Sequence, residues 1–278
     1  MRIVTSLVML LLATSALALP DTGADTGADK SWHSVDTCRA AITRGTKRSQ
    51  ASLPAVFGLL SWNIRKGLDS GWQADLQGLS ESANLIFLQE ARPGPRLQRI
   101  LKAHPHQQFV PGFSLAGKPT GVMTASTERS AMYCSLLNRE PWLGTPKGTS
   151  VTLYAVGKQR AALLAINLHG INLSIGTRVF RKQIQALDPL LAAHTGPVVV
   201  GGDINAWSRH RLAAMDALAT RHGLQRVGFQ PDLRSRIVGL AMDYIYLRGL
   251  DIVIAEALPV TSSDHNPLLL KLALPAAD

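Results

Sequence analysis

The chain has 278 residues, 46% of them hydrophobic, which is too long for a minimal domain and too short for two large ones. Its formal net charge of +10 and pI near 10.1 favour polyanionic partners, such as nucleic acid, anionic lipid headgroups or phosphorylated substrates, over cationic ones. The same charge also serves plain solubility, so it constrains partners and not chemistry.

The N-terminus reads as an address. Arg2 supplies a positive start, Ile3 to Leu19 is almost wholly apolar, and Ala16-Leu17-Ala18 followed by Pro20 forms an A-x-A cleavage pattern. A signal peptide over 1–18 is predicted, with a secreted or periplasmic mature protein that makes no stable membrane insertion. The apolar run lies at the short limit for a membrane span, so an uncleaved anchor is the alternative. Residues 21–29, DTGADTGAD, have linker composition. We assign 19–55 to a linker and an N-terminal arm, and 56–278 to one compact domain. Of the two cysteines, Cys38 lies in the arm and Cys134 in an apolar segment. In an exported chain they are expected to pair and pin the arm to the core; the alternative is two free thiols.

Within the domain, short apolar runs alternate with helical patterns. Strands are predicted over Phe57–Ile64, Leu85–Leu88, Met132–Leu137, Ser150–Val156, Ala162–Leu168, Val198–Gly201, Asp243–Leu247, Ile252–Ala257 and Leu268–Leu272. Helices are predicted over Gln73–Ser82, Gly94–Ala103, Arg178–Ala193 and Arg209–His222. This mixture implies two packed sheets with helices outside.

Asn63, Glu90, His169, Asp203, Asn205 and Asp264-His265 sit at the C-terminal ends of apolar strands or in the loops just after them, where loops converge, and Asp243 opens a strand. They fall in six segments: Trp62-Asn63, Leu88-Gln89-Glu90, Asn167-Leu168-His169, Gly202-Asp203-Ile204-Asn205, Asp243-Tyr244-Ile245 and Ser263-Asp264-His265. Singly, each has an ordinary explanation. Glu90 would end a strand at the surface, Asp203 and Asn205 would form a turn, Asp264-His265 would cap a helix, and His169 would be a loop histidine.

Together and in this order, the segments resemble the endonuclease/exonuclease/phosphatase superfamily, which includes DNase I, abasic-site endonucleases, bacterial neutral sphingomyelinases and inositol polyphosphate 5-phosphatases. The resemblance runs from about Phe57 to Leu272. In overall look the chain resembles bacterial members outside these named substrate groups. Ile204 stands where the family usually has phenylalanine, a packing position. The resemblance implies a DNase I-like α+β fold, a four-layer α/β/β/α sandwich of two packed mixed sheets with outer helices, and makes 56–278 the catalytic domain. It implies a hydrolase of phosphate esters that depends on magnesium, with manganese or calcium as alternatives.

Phosphodiester hydrolysis needs a cation at the phosphate, a base for water, a donor for developing charge, and orientation. Glu90 is the first candidate metal ligand, with Asn63 and Asp264 assisting; oxygen ligands suit magnesium. Asp203 is the candidate base. Asn205, two residues on in an extended segment, would face the same site and bind the phosphate. His265 is the candidate donor to phosphate oxygens. The family pattern gives Asp243 the role of orienting it, and His169 that of acid for the leaving oxygen. Arg65, Lys66, Trp207 and Arg209 flank the site as candidate substrate contacts, with Trp72, His210 and Arg211 nearby and Trp142 and Lys147 in another connecting segment. Basic residues interleaved with aromatic ones suit a nucleic-acid strand.

The leading expectation is a secreted nuclease. The alternatives are a sphingomyelinase-like lipid phosphodiesterase, a phosphatase on soluble esters, and a non-catalytic polyanion binder. Lipid enzymes of this kind carry extra apolar loops, and no exposed apolar hairpin is legible in the sequence. Nor is an oligomerisation signal, so a monomer is expected.

Overall fold

Neighbouring apolar residues of the central strands face opposite ways. Leu59 packs in one core with Phe87 and Leu270, whereas Leu60 packs in another with Trp62 and Leu88. Val199 joins the first of these cores, while Val198 and Val200 join a third. Successive strand side chains alternate faces, so strands of this composition demand cover on both sides. The computed structural model, which describes residues 33–45, 52–115, 117–141, 144–158 and 161–276, meets that demand with four layers. The segments expected to be a signal peptide and a linker, up to residue 32, and Trp142 lie outside the described residues.

The strands in chain order are β1 (Val56–Asn63), β2 (Leu85–Ala91), β3 (His106–Leu115), β4 (Lys118–Ser126), β5 (Met132–Arg139), β6 (Pro146–Val156), β7 (Ala161–His169), β8 (Val198–Asp203), β9 (Gln225–Arg226), β10 (Arg236–Ile237), β11 (Leu240–Ala241), β12 (Asp243–Arg248), β13 (Asp251–Ala257) and β14 (Leu268–Ala273). The helices are α1 (Val35–Arg44), α2 (Trp72–Ser80), α3 (Pro95–Ile100), α4 (Arg178–Gln185), α5 (Asp188–Ala192) and α6 (Arg209–Arg221). One six-stranded sheet has the order β13-β14-β1-β2-β4-β3, and the other β5-β6-β7-β8-β12-β9. Each contains one parallel pair, β1–β2 and β7–β8, flanked by antiparallel neighbours on both sides. The two sheets therefore repeat one pattern. Their parallel pairs deliver four strand ends, those of β1, β2, β7 and β8, to one end of the sandwich.

Leu59, Phe87, Ala165, Val199, Ile245 and Leu270 fill the space between the sheets. Helices α2 and α3 cover the first sheet through Trp72, Leu76 and Leu97. Helices α1, α4, α5 and α6 cover the second through Ile42, Phe180, Leu190 and Met215. No helix among the described residues is long and apolar enough to cross a membrane.

The structure extends the sequence reading in four places. Val35–Arg44 is a helix capped by Ser34 and docked by Cys38 and Ile42, and Cys38 is disulfide-bonded to Cys134. Strands β3 and β4 carry too many Gln, Thr, Gly and Pro residues to read as strands. Pro111 and Gly112 sit where the β3–β4 register shifts on the sheet edge, a place that tolerates proline. The single helix expected over Arg178–Ala193 is split into α4 and α5, because Pro189 lacks an N–H and restricts the residue before it. Strand β6 begins four residues earlier than expected, at Pro146 and not Ser150, and so takes Lys147 into the sheet.

Candidate active site

The centre of the site is a row fixed by strand register. His169 on β7 and Asp243 on β12 both lie opposite Asp203 on β8. All three are buried. Close approach at this end of β7 and β8 requires glycine: a Cβ on Gly202 would stand 2.2 Å from the Leu168 carbonyl oxygen, and one on Gly170 would stand 2.0 Å from that of Ile204. Asn205 then turns the chain with φ +55°, a conformation asparagine tolerates.

The first sheet reaches across to this row. Asn63, at the end of β1, donates from Nδ2 to Asp203 Oδ2 at 2.9 Å. His265, in the loop before β14, meets Asp243 Oδ2 through Nδ1 at 2.7 Å. That loop is pinned to β1: the Trp62 indole donates to the His265 carbonyl at 2.8 Å, and Ser263 Oγ donates to the Asn63 carbonyl at 2.7 Å. Beneath the row the inter-sheet layer turns polar. Gln89 donates to Asn167 Oδ1 at 2.8 Å, and Thr124 donates to Ser150 Oγ at 2.9 Å, so the floor is tied across both sheets.

Electrostatics sort the row. Burial raises the Asp203 carboxyl to about 6, with Asp243 adding to the rise and His265 opposing it. Burial works against a charged His265, but Asp243 and Asp203 outweigh it and push the imidazole up to about 10. His265 is therefore an imidazolium at neutral pH, its Nδ1–H held by Asp243. Its Nε2 lies 3.9 Å from Asp203 Oδ2, too long for a hydrogen bond, so that N–H is free to donate elsewhere. Burial first, and then Lys147, hold His169 well below its ordinary value, so it is neutral. Its Nε2 lies 2.8 Å from Lys147 Nζ and 3.4 Å from Asp203 Oδ2. An ammonium has no acceptor, so His169 Nε2 accepts here. With Lys147 as the donor, the His169 nitrogen nearest Asp203 faces the row as an acceptor, and the acid role expected of His169 would need the other tautomer or a protonated ring. Asn205 donates from its backbone N to Asp203 Oδ1 at 3.2 Å and from Nδ2 to the Gly170 carbonyl at 3.1 Å, while its Oδ1 is buried without a partner.

Glu90 stands on the rim. Leu88 pairs with Met123 and Ala91 with Gly121, so Gln89 and Glu90 together oppose one residue of β4. This bulge puts Glu90 at φ +53° and turns its side chain out of the ladder, where its carboxylate meets the Lys66 ammonium. Two positions could hold a cation. The carboxylate and ring atoms of Asp203, Asp243 and His265 lie within 4.8 Å of one another, but the facing atoms of Asp243 and His265 are spent on each other. Glu90, by contrast, already carries a cationic partner, Lys66, in a part-buried pair at the rim, and Asn63 adjoins it as the β1 neighbour of Gln89. This oxygen donor set fits a hard divalent cation. Asp264, 57% exposed, faces the Arg65 guanidinium at 3.5 Å, and no contact among the described residues joins it to Glu90 or Asn63. Arg65 also makes both of its bonds to Asp69 at 3.1 Å and donates its backbone N to Asn63 Oδ1 at 3.0 Å.

The loop after β8 divides its residues. Arg211 is fully buried. Its guanidinium donates to the carbonyls of Ile171, Asn172 and Asn205 and packs 4.3 Å from the Trp207 ring. Trp207 donates to Asn172 Oδ1 at 3.0 Å, so much of it braces the loop. Arg209 is exposed in the first turn of α6 and, with Trp207, lines a groove closed by Val238–Leu240. That far wall is the β10–β11 hairpin, whose tip exposes Ile237 and 88% of Val238. It is an exposed apolar hairpin that two-residue strands hid from sequence reading. Lys147, which the sequence reading left in a connecting segment as a peripheral basic residue, instead opens β6 and reaches His169 in the row.

Two mixed sheets stacked face to face, with Asn63, Glu90, His169, Asp203 and His265 gathered at one end, are the α+β sandwich of the DNase I-like superfamily. The human Nocturnin catalytic domain with bound sulfate superposes with a TM-score of 0.61 at 17% identity, over 81% of this chain and 97% of that one. Sphingomyelinase C from Streptomyces griseocarneus gives 0.55 at 16% identity, over 78% and 99%. At such identities the likeness is one of fold. In sequence, a UPF0294 protein of Yersinia pseudotuberculosis is 40% identical over 217 residues, 78% of this chain and 83% of its own. Residues 60–265 match the Endonuclease/Exonuclease/phosphatase family. The chain belongs to that family, whose members hydrolyse phosphodiesters or phosphate esters.

Proposed function

We propose that this chain is a divalent-metal-dependent phosphodiesterase acting on nucleic acid outside the cytoplasm. The observation that carries the chemistry is Asp203, buried, raised to about 6, and suspended between Asn63 of one sheet and the His265–Asp243 pair. As a carboxylate it takes a proton from water attacking the phosphorus. His265 Nε2–H donates to a non-bridging phosphate oxygen as negative charge develops there, and Asp243 keeps that ring aimed and charged. Asn205 stands beside them, its second Nδ2 hydrogen a donor for the phosphate and its Oδ1 an acceptor for the water. A divalent cation held by Glu90 and Asn63 would neutralise phosphate charge and polarise the ester.

Substrate class rests on the rim. Arg65, Lys66 and Arg209 surround the strand ends in a chain of net charge +10, a footprint suited to a polyanionic backbone. The Cys38–Cys134 disulfide, with the apolar N-terminal run, supports export, and a monomer is the working state. The test is fragment release from double-stranded DNA, single-stranded DNA and RNA by residues 19–278 with magnesium, beside EDTA and Asp203→Ala controls. Metal-dependent cleavage lost in both controls is expected; nucleic acids left intact by a folded protein would overturn the substrate. One observation favours a second reading, a lipid phosphodiester: the exposed Ile237–Val238 tip beside the Trp207–Arg209 groove suits contact with a membrane surface. Sphingomyelin vesicles in the same assay decide between them.

A further inference from the structure

When the P–O bond of an unactivated phosphodiester breaks, the departing oxygen needs a proton or a positive charge. Around Asp203 the donors are limited. His265 Nε2 and Asn205 Nδ2 are assigned to the phosphate, and His169 Nε2 is an acceptor. Lys66 is held by Glu90 on the rim, and the donor that reaches the row from the other side is Lys147, on the N-terminal stretch of β6 next to the end of β7. It is 7% exposed, and among the described residues no carboxylate lies within salt-bridge distance of its side chain, whose hydrogen-bond partner there is His169. Asp203, across the His169 ring nitrogen, meets its charge at longer range, but no carboxylate bonds the buried ammonium directly, and such a group is costly unless something at the site uses it. Two of its three N–H groups are left for a ligand.

We propose that Lys147 is a further catalytic residue, which protonates the leaving oxygen, and that His169 is the positioning residue that aims its ammonium. This rests on the phosphodiesterase reading above. The bonds balance simply. Water adds to phosphorus and gives a proton to Asp203; the ester P–O bond breaks; and the departing alkoxide takes a proton from Nζ, leaving a neutral amine that solvent recharges. His169, its Nε2 lone pair on the ammonium, carries its own proton on Nδ1.

The test compares two diesters, because acid assistance matters for a poor leaving group and little for a good one. The full mature chain is assayed on a dinucleotide, which expels an alcohol, and on bis(p-nitrophenyl) phosphate, which expels a stabilised phenolate. Lys147→Met, with folding checked by thermal melting, is expected to lose about 100-fold or more on the dinucleotide and under about tenfold on the nitrophenyl ester. His169→Gln is expected to show the same asymmetry more weakly, and the double variant to be little worse than Lys147→Met alone. The imidazole nitrogens of ¹⁵N-histidine-labelled protein are expected to show His169 protonated on Nδ1, with the proton moving towards Nε2 in Lys147→Met. Equal losses on both diesters, or an Nε2 proton in the unmodified protein, overturn the proposal alone. Absence of turnover by the unmodified protein on either diester overturns the phosphodiesterase reading and the proposal with it.

Discussion

The row on β7, β8 and β12 and the rim on the loops after β1 and β2 use the same kinds of charged group under opposite conditions. In the row, Asp203 is buried, receives Asn63 and the Asn205 backbone, and stands between two histidine rings; Asp243 is committed to His265. On the rim, Asp264 pairs with Arg65 in the open, and Glu90 pairs with Lys66 where both side chains are part-buried. Exposed pairs are worth about 0–1 kcal/mol and exchange partners readily, whereas breaking a buried pair costs about 3–5 kcal/mol. The row is therefore preorganised, as the proposed proton transfer requires, and the rim, Arg65 above all, carries pairs that an incoming metal or phosphate would replace at less cost. Groups that make and break bonds are locked by strand register; groups that take and release a ligand are held by a bulge and two turns.

The contrast predicts where damage is greatest. Asp203→Ala removes the base and frees Asn63, and is expected to lower kcat by about 1,000-fold or more while the two-sheet fold persists. Steady-state rates beside a circular dichroism melt check this; a residual rate within tenfold of the parent would mean that the row is not the catalytic centre. Glu90→Gln comes next. It is expected to abolish the heat of magnesium binding in calorimetry and to reduce the rate about 100-fold, with excess metal restoring part of it. If Asp243→Asn or His265→Ala abolishes that heat while Glu90→Gln spares it, the metal sits in the row.

How much of this contrast the sequence disclosed follows from the same physics. Asn63, Glu90, His169, Asp203, Asp243 and His265 were legible because strand ends are local features and the segments keep a recognisable order. The apolar alternation of β1 and β8 announced two-sided burial, hence four layers. What stayed hidden depends on partners far along the chain. The strand ladder of β3 with β4 is made by pairing that its own Gln, Pro and Gly residues do not advertise. Arg211 reads as one more surface cation until the loop it anchors, Ile171–Ser174, is seen folded around it. Lys147 became a site residue only when β6 proved longer than its apolar stretch.

The row's charges should show in the pH profile, with an effect smaller than either deletion. The proposed mechanism needs Asp203 ionised and His265 protonated, so kcat/KM is expected to rise with pH through about 6 and fall through about 10. Both pKa values are raised by folding, so both groups also make the fold less stable as pH rises, Asp203 as pH climbs to about 6 and His265 as it climbs to about 10. Asp243→Asn removes the carboxylate that most favours the His265 charge. Its alkaline limb is expected to move down towards the ordinary histidine value of about 6.5, while the acid limb shifts less. An alkaline limb that stays in place would assign that limb to another group.

The smallest effect is expected at the rim cation with the fewest ties. Arg209 is exposed in the first turn of α6, and no hydrogen bond or ion pair of its side chain appears among the described residues, so Arg209→Ala leaves the fold and the row intact. If it meets a nucleic-acid backbone, the loss is one phosphate contact. KM is expected to rise about three- to tenfold at low salt with kcat unchanged, and the slope of log KM against log salt to fall by roughly one. Arg65→Ala is the sharper companion, because Arg65 is already shared between Asp69 and Asp264 and its backbone N supports Asn63. Its side chain has less charge to offer a phosphate, so its salt slope should change less than that of Arg209→Ala. Equal slopes would show that substrate displaces the two aspartates from Arg65, and that even the most heavily paired group on the rim gives way to a ligand.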